Sequence, residues 1–195
     1  MKKTFEKDLP EGYVVAKVID AKESKVAIVM NVIGSVIAVG VVGVTYFIIQ
    51  PKDIIYLIAE SIFFEYWIFL LLLVGYIIMH ELVHGLAYKV LTGHQLTFGL
   101  TWSVAYCGVP DIYTYRKTSL IALLSPFLLF NIVFLCAFLM LKSDISILYC
   151  SVLFGLHLGG CTGDLYDTYL LLFCYKEETT LIHDDGPKQV IYIKR

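Results

Sequence analysis

No Asp, Glu, Lys or Arg occurs between Lys25 and Lys52, or between Lys117 and Lys142. A helix rises about 1.5 Å per residue, so about 20 apolar residues cross the hydrocarbon core of a bilayer. Each stretch is long enough. Composition agrees, with 58% of the 195 residues apolar and 16% charged, where a soluble domain carries about 25% charged residues. These features predict an all-α polytopic membrane protein of about four transmembrane helices, folded as a single membrane domain over residues 1–195. They exclude a disordered chain and an ordinary soluble enzyme. A net charge of −2 offers no basic surface to nucleic acid, so the expected surroundings are membrane lipid and protein.

The pattern divides the chain as follows. Residues 1–25 form a polar arm, in which Tyr13 to Ile19 reads as a short strand. Residues 26–49 are the first span, with Gly34, Gly40 and Gly43 permitting close helix contact. Gln50 to Phe63 is an amphipathic connection starting at Pro51. Residues 64–91 are the second span, closed by Thr92-Gly93. Residues 95–117 break the helical pattern. Leu96 to Trp102 and Val104 to Cys107 are rich in β-formers, and Gly108, Pro110 and Asp111 mark a turn, so one or two strands are expected there. Residues 119–141 are the third span and 145–175 the fourth, the latter interrupted by Gly159, Gly160 and Gly163. In the tail, 176–195, Thr179 to Ile182 and Gln189 to Ile193 flank Asp184-Asp185-Gly186-Pro187. That reads as a hairpin in water, whose strands can pair with the arm in a small sheet.

The first apolar run is too long for a signal-peptide core, and what precedes it is polar. The five cysteines (Cys107, Cys136, Cys150, Cys161, Cys174) lack metal-ligand spacing and read as free, buried thiols. With four spans and both termini on one side, that side holds 13 of the 15 Lys and Arg residues. The excess makes it the cytoplasmic side, giving a multi-pass cell-membrane protein with cytoplasmic termini.

One motif carries chemistry. His80-Glu81-Leu82-Val83-His84 is an H-E-x-x-H sequence. Residues i and i+4 lie on one helix face, so both imidazoles can meet one Zn²⁺. Glu81 stands at the edge of that face, placed to take a proton from a water at the metal without ligating it. A carboxylate inside a span is costly, which makes such residues functional candidates. His94 and His183 read as ordinary loop or turn residues.

A catalytic zinc keeps three protein ligands and an open position. Candidates for the third are Asp164, Asp167, His157 and Cys161, all in the fourth span. Counted from Tyr66, His80 and His84 lie about 21 and 27 Å along their helix; counted from Ile145, Asp164 lies about 28 Å in and His157 about 18 Å. Depth therefore favours Asp164. His157 reads as a hydrogen-bonded buried imidazole, and Asp167 as a carboxylate that orients a ligand.

An HELVH helix inside a span, followed by Gly163-Asp164 in a later one, resembles the site-2 protease class of intramembrane zinc metalloproteases. More closely, the chain resembles a bacterial family of membrane proteins described as putative zincin peptidases. That family has a polar arm, an HELxH helix and a Gly-rich segment ending in Gly-Asp, here Gly159-Gly160-Cys161-Thr162-Gly163-Asp164. The resemblance implies His80, His84 and Asp164 as zinc ligands and Glu81 as the general base. It also implies that residues 96–107 either pair with an unwound substrate strand or cover the site as a structural hairpin. Two details depart from the site-2 pattern. Gly163-Asp164-Leu165 stands in place of Leu-Asp-Gly. Ser125-Pro126 stands in place of Gly-Pro, followed by Asn131 at five residues rather than three. Pro126 then reads as a helix kink, and Asn131 as an interhelical hydrogen bond.

Two main functional readings follow. The first is a zinc-dependent membrane-embedded metalloprotease acting on membrane or membrane-proximal proteins. The second is a non-catalytic membrane protein, stabilised by a metal, that binds a partner. A third, transport along a His157–Asp164 polar path, predicts little dependence on His84.

Overall fold

The computed structural model describes residues 3–21, 23–51, 65–101 and 105–195. Four of its helices are long and apolar enough to cross a membrane: Lys25–Ile49, Tyr66–Thr92, Arg116–Met140 and Asp144–Cys174. Only 6% of the most apolar window of each of the first two is covered by protein. Apolar side chains such as Val39, Phe47, Leu71 and Leu139 stand exposed, which is stable for a helix only where the surroundings are apolar too. Most of the amphipathic connection expected over 50–63, and Trp102 to Val104 of the expected strands, lie outside the described residues.

In chain order the elements are β1 (Phe5–Glu6), β2 (Tyr13–Asp20), α1 (Ser24–Ile49), α2 (Glu65–Thr92), β3 (Thr97–Leu100), β4 (Ala105–Gly108), β5 (Tyr113–Tyr115), α3 (Arg116–Met140), α4 (Asp144–Gly160), α5 (Thr162–Tyr169), a π-helical turn (Leu170–Cys174), β6 (Leu181–Asp184) and β7 (Lys188–Lys194). The fourth apolar run is thus in three pieces. Its break falls at Cys161, whose amide bonds back to His157 O at 3.0 Å, rather than at the glycines around it.

These elements fall into two compact units: residues 1–30, 79–126 and 163–195, and residues 31–78 and 127–162. The first unit contains an antiparallel sheet in the order β1-β5-β6-β7-β2. The arm and tail do pair: Tyr13 to Asp20 run against Lys194 to Lys188, with an irregularity between Val15 and Lys17. β5 joins them through Tyr113↔His183 and Tyr115↔Leu181. Among its described residues, segment 95–117 therefore holds three strands rather than one or two, because Tyr113–Tyr115 finds its partners at opposite ends of the chain. A separate hairpin, β3–β4, pairs Phe98 with Cys107 and Leu100 with Ala105. The unit's core is made of Leu123, Leu170, Leu171, Ile182 and Ile191, and of Tyr88, Val109, Ile112 and Ala122.

The tail hairpin is present but is not simply a structure in water. Leu181, Ile182, Val190 and Ile191 are buried, and so is Asp184, at 2% exposure. His183 lies within β6 rather than a turn, with its Nε2 2.8 Å from Pro110 O. His94 is in the loop after α2, edge-on to Phe5.

In the second unit α1 crosses α4 at small residues. A Cβ on Gly159 would stand 2.6 Å from Gly34 O, and one on Gly155 2.9 Å from Ala38 O. Gly40 and Gly43 meet nothing, so of the three glycines only Gly34 serves a contact. Phe134, Cys150 and Leu153 centre an aromatic-rich core with Phe69, Tyr76, Phe130 and Phe154. None of the five cysteines is in a disulfide. Cys107, Cys150 and Cys161 are buried, but Cys136 and Cys174 are exposed.

Candidate metal centre

Helix α2 sets His80 and His84 one turn apart, their ring centroids 4.9 Å from each other. Helix α5 carries Asp164 in its first turn. Asp164 Oδ2 lies 3.3 Å from His80 Nε2 and 3.4 Å from His84 Nε2. One donor atom from each of the three falls within 4.8 Å of the others. Donors held tetrahedrally about 2.0–2.1 Å from a zinc lie about 3.3–3.4 Å apart. The donor set, two imidazole nitrogens and a carboxylate oxygen, therefore fits that ion in both chemistry and spacing. Both imidazoles are buried at 7% exposure, so water does not dilute the interaction.

The second nitrogen of His84 is also committed. Its Nδ1 lies 2.9 Å from the carbonyl oxygen of Ala122 on α3. A carbonyl only accepts, so Nδ1 carries a proton there and Nε2 is the nitrogen left to face Asp164 or an ion. A backbone or carboxylate partner of this kind is the usual way a metal-ligating histidine is oriented.

Glu81 is half-buried, and its carboxylate accepts a hydrogen bond from the backbone amide of Cys107. Successive odd-numbered amides of β4 point the same way. Accordingly, Val109 N–H, on the same edge, reaches Asp184 O at 2.9 Å. Gly85, next to His84, lets this hairpin lie on the helix: a Cβ there would meet Phe98, Leu96 and Cys107 at 2.8–3.2 Å.

One turn beyond His84, the Tyr88 hydroxyl donates to Asp184 Oδ2 at 2.7 Å, with both groups buried. Gly186 N–H donates to Asp184 Oδ1 at 2.9 Å. Burial pushes the Asp184 carboxyl up to about 6, against the opposing pull of these two donors. The turn bends in because Gly186 adopts φ +90°, a left-handed conformation that glycine takes without a Cβ penalty. Glu81, Cys107, Val109, Asp184 and Tyr88 thus link α2, β4 and β6 in one hydrogen-bonded circuit. Burial pushes the Cys107 thiol up to about 12, helped by the charges of Asp184 and Glu81, so it stays protonated and is a poor metal ligand.

Tyr88, Ala122, Cys107 and Asp184 were not singled out by sequence. Tyr88 alone had a signal, since it shares the helix face of His80 and His84 at four-residue spacing. Asp167 is also buried, and its Oδ1 has no hydrogen-bond partner among the described residues. In the second unit, His157 is fully buried with Tyr76 Oη 2.9 Å from its Nδ1 and Asn131 Nδ2 3.4 Å from its Nε2. Asn131 therefore makes an interhelical contact. Cys161 Sγ is 3.6 Å from His157 Nδ1.

A family model described as "Putative zincin peptidase" matches residues 73–179. The matched stretch contains His80, Glu81, His84, Pro126 and Asp164 and ends before β6. Neither the curated proteins nor the solved structures contain a match to the chain.

Proposed function

The chain belongs to the putative zincin peptidase family, and on that premise we propose that it is a zinc metallopeptidase hydrolysing peptide bonds of membrane or membrane-proximal proteins. The observation that carries the proposal is the convergence of His80, His84 and Asp164, with the Nδ1 proton of His84 fixed away from the site. These three residues would hold the ion. Zinc, when bound, supplies Lewis acidity that polarises the scissile carbonyl and acidifies water.

The chain's own residues do the rest. Glu81 takes a proton from the attacking water and gives it to the departing amine nitrogen. The Cys107 amide holds the Glu81 carboxylate in place during that exchange. β3, whose second edge pairs with no strand among the described residues, offers backbone groups to an extended substrate segment. The four apolar helices support a multi-pass membrane protein, and the lysine and arginine excess supports cytoplasmic termini. The metal helix and the later Gly163-Asp164 support cleavage of the site-2 type, in which a substrate helix unwinds before water attacks.

The test is Glu81→Gln. Detergent-solubilised wild type and variant are incubated with a library of transmembrane peptides, and cleavage is read by mass spectrometry beside zinc content. The variant should keep its zinc and lose about 10²–10⁴-fold in turnover. If both proteins hold zinc and neither cleaves, the metal is structural and the partner-binding reading replaces this one.

A further inference from the structure

Pro126 lies inside α3 and is fully buried. A proline has no N–H, so the carbonyl four residues back loses its helical donor. That carbonyl belongs to Ala122, which is buried at 0% exposure, where an unpaired backbone oxygen is costly and water cannot replace the donor. The partner it has is the His84 ring nitrogen at 2.9 Å. The preceding carbonyl, Ile121 O, takes the Ser125 hydroxyl at 2.5 Å. The carbonyl that the proline frees is thus taken by a side chain of the metal helix.

We propose that Pro126 is a positioning residue for the metal centre: by denying Ala122 O its helical donor, it reserves that carbonyl for His84 and so fixes the ring's orientation. The proposal rests on the zinc peptidase reading and assigns the proline a role beyond a bend in a helix. With an ordinary residue at 126, a new N–H competes for the same oxygen. The His84 ring then loses the bond that turns its Nε2 toward the site.

The test compares wild type with Pro126→Ala. Zinc affinity is measured by chelator competition, stability by thermal unfolding of the metal-free protein, and the hydrogen bond from His84 Nδ1–H to Ala122 O by NMR of the metal-free protein. The variant should bind zinc about 10–100-fold more weakly, the usual effect of losing an outer partner of a metal-bound histidine. Its metal-free form should unfold no earlier than wild type, because alanine suits a helix interior better than proline. A purely structural proline would instead lower both or neither, and either result overturns the proposal. A second variant guards against misfolding. Replacing Leu123 by its α-hydroxy acid turns the Ala122 carbonyl into an ester, a weaker acceptor, with Pro126 intact. It should show the same loss of zinc affinity, and unchanged affinity there also overturns the proposal. A wild type that binds no zinc would sink the peptidase reading alone. The Nδ1–H bond to Ala122 O then decides the inference: present in wild type and weakened in the variant upholds it, and the same in both overturns it.

Discussion

Gly108→Ala tests whether the tail hairpin holds the site together. A Cβ at this position would strike the amide nitrogen of Gly186 and stand 2.8 Å from both Asp185 C and Gly186 Cα. Every one of these atoms is backbone of the β6–β7 turn, so no side chain can rotate away. To reach an ordinary contact the turn must withdraw by more than about 0.5 Å, which stretches the bonds it anchors beyond useful length. Those bonds are Val109 N–H to Asp184 O at 2.9 Å and Tyr88 O–H to Asp184 Oδ2 at 2.7 Å. Losing two buried hydrogen bonds at about 1–3 kcal/mol each, together with overpacking of about 1–3 kcal/mol, gives about 3–9 kcal/mol in all. For a chain of this size that lowers the unfolding midpoint by about 10 °C or more. The assay is thermal unfolding in detergent, with Gly163→Ala as the control. A Cβ at Gly163, inside α5, meets nothing, so that variant should be neutral or slightly more stable. If Gly108→Ala unfolds with the wild type, the hairpin does not brace β4 and the circuit through Asp184 is not a structural one.

Two further outcomes follow from the same geometry. The Asp184 carboxyl sits at about 6 in the folded chain against an ordinary 3.8, so the native state holds its proton more tightly than the unfolded state does. The stability this contributes is complete below the ordinary value and is lost as pH rises through about 6, a change of about 3 kcal/mol. Asp184→Asn should flatten that part of the stability profile, and an unchanged slope would contradict the assignment. In the second unit, Gly159→Ala puts a Cβ 2.6 Å from Gly34 O and should destabilise by about 1–3 kcal/mol. Gly43→Ala, in open space, should not destabilise at all. Thermal unfolding of the pair shows whether the two helices meet as described, and equal midpoints would mean they do not.

The local features of this chain are legible in its sequence. Charge-free runs mark α1 and α3 because a helix that lacks protein neighbours must be apolar on all sides. The i, i+4 spacing of HELVH places both imidazoles on one face of α2, and counting residues along two helices brings Asp164 to their depth. What sequence hides is pairing at a distance. β5 is three residues long and has no pattern of its own; it exists because β1 and β6 flank it. Asp184 sits in an Asp-Asp-Gly-Pro run that has turn chemistry, and nothing local says that its carboxylate is buried under Tyr88. Pro126 is visible as a helix-breaking residue, but the freed carbonyl of Ala122 acquires meaning only when His84 of another helix is found against it. Cys136 and Cys174 sit in apolar sequence like the buried thiols, yet they are exposed.

The most direct test of the account is the zinc content of protein purified in detergent without chelators, measured beside Asp164→Ala. About one zinc per wild-type chain is expected, with loss of most of it in the variant. A wild type free of zinc, or an Asp164→Ala protein that holds zinc as firmly as the wild type, would contradict it.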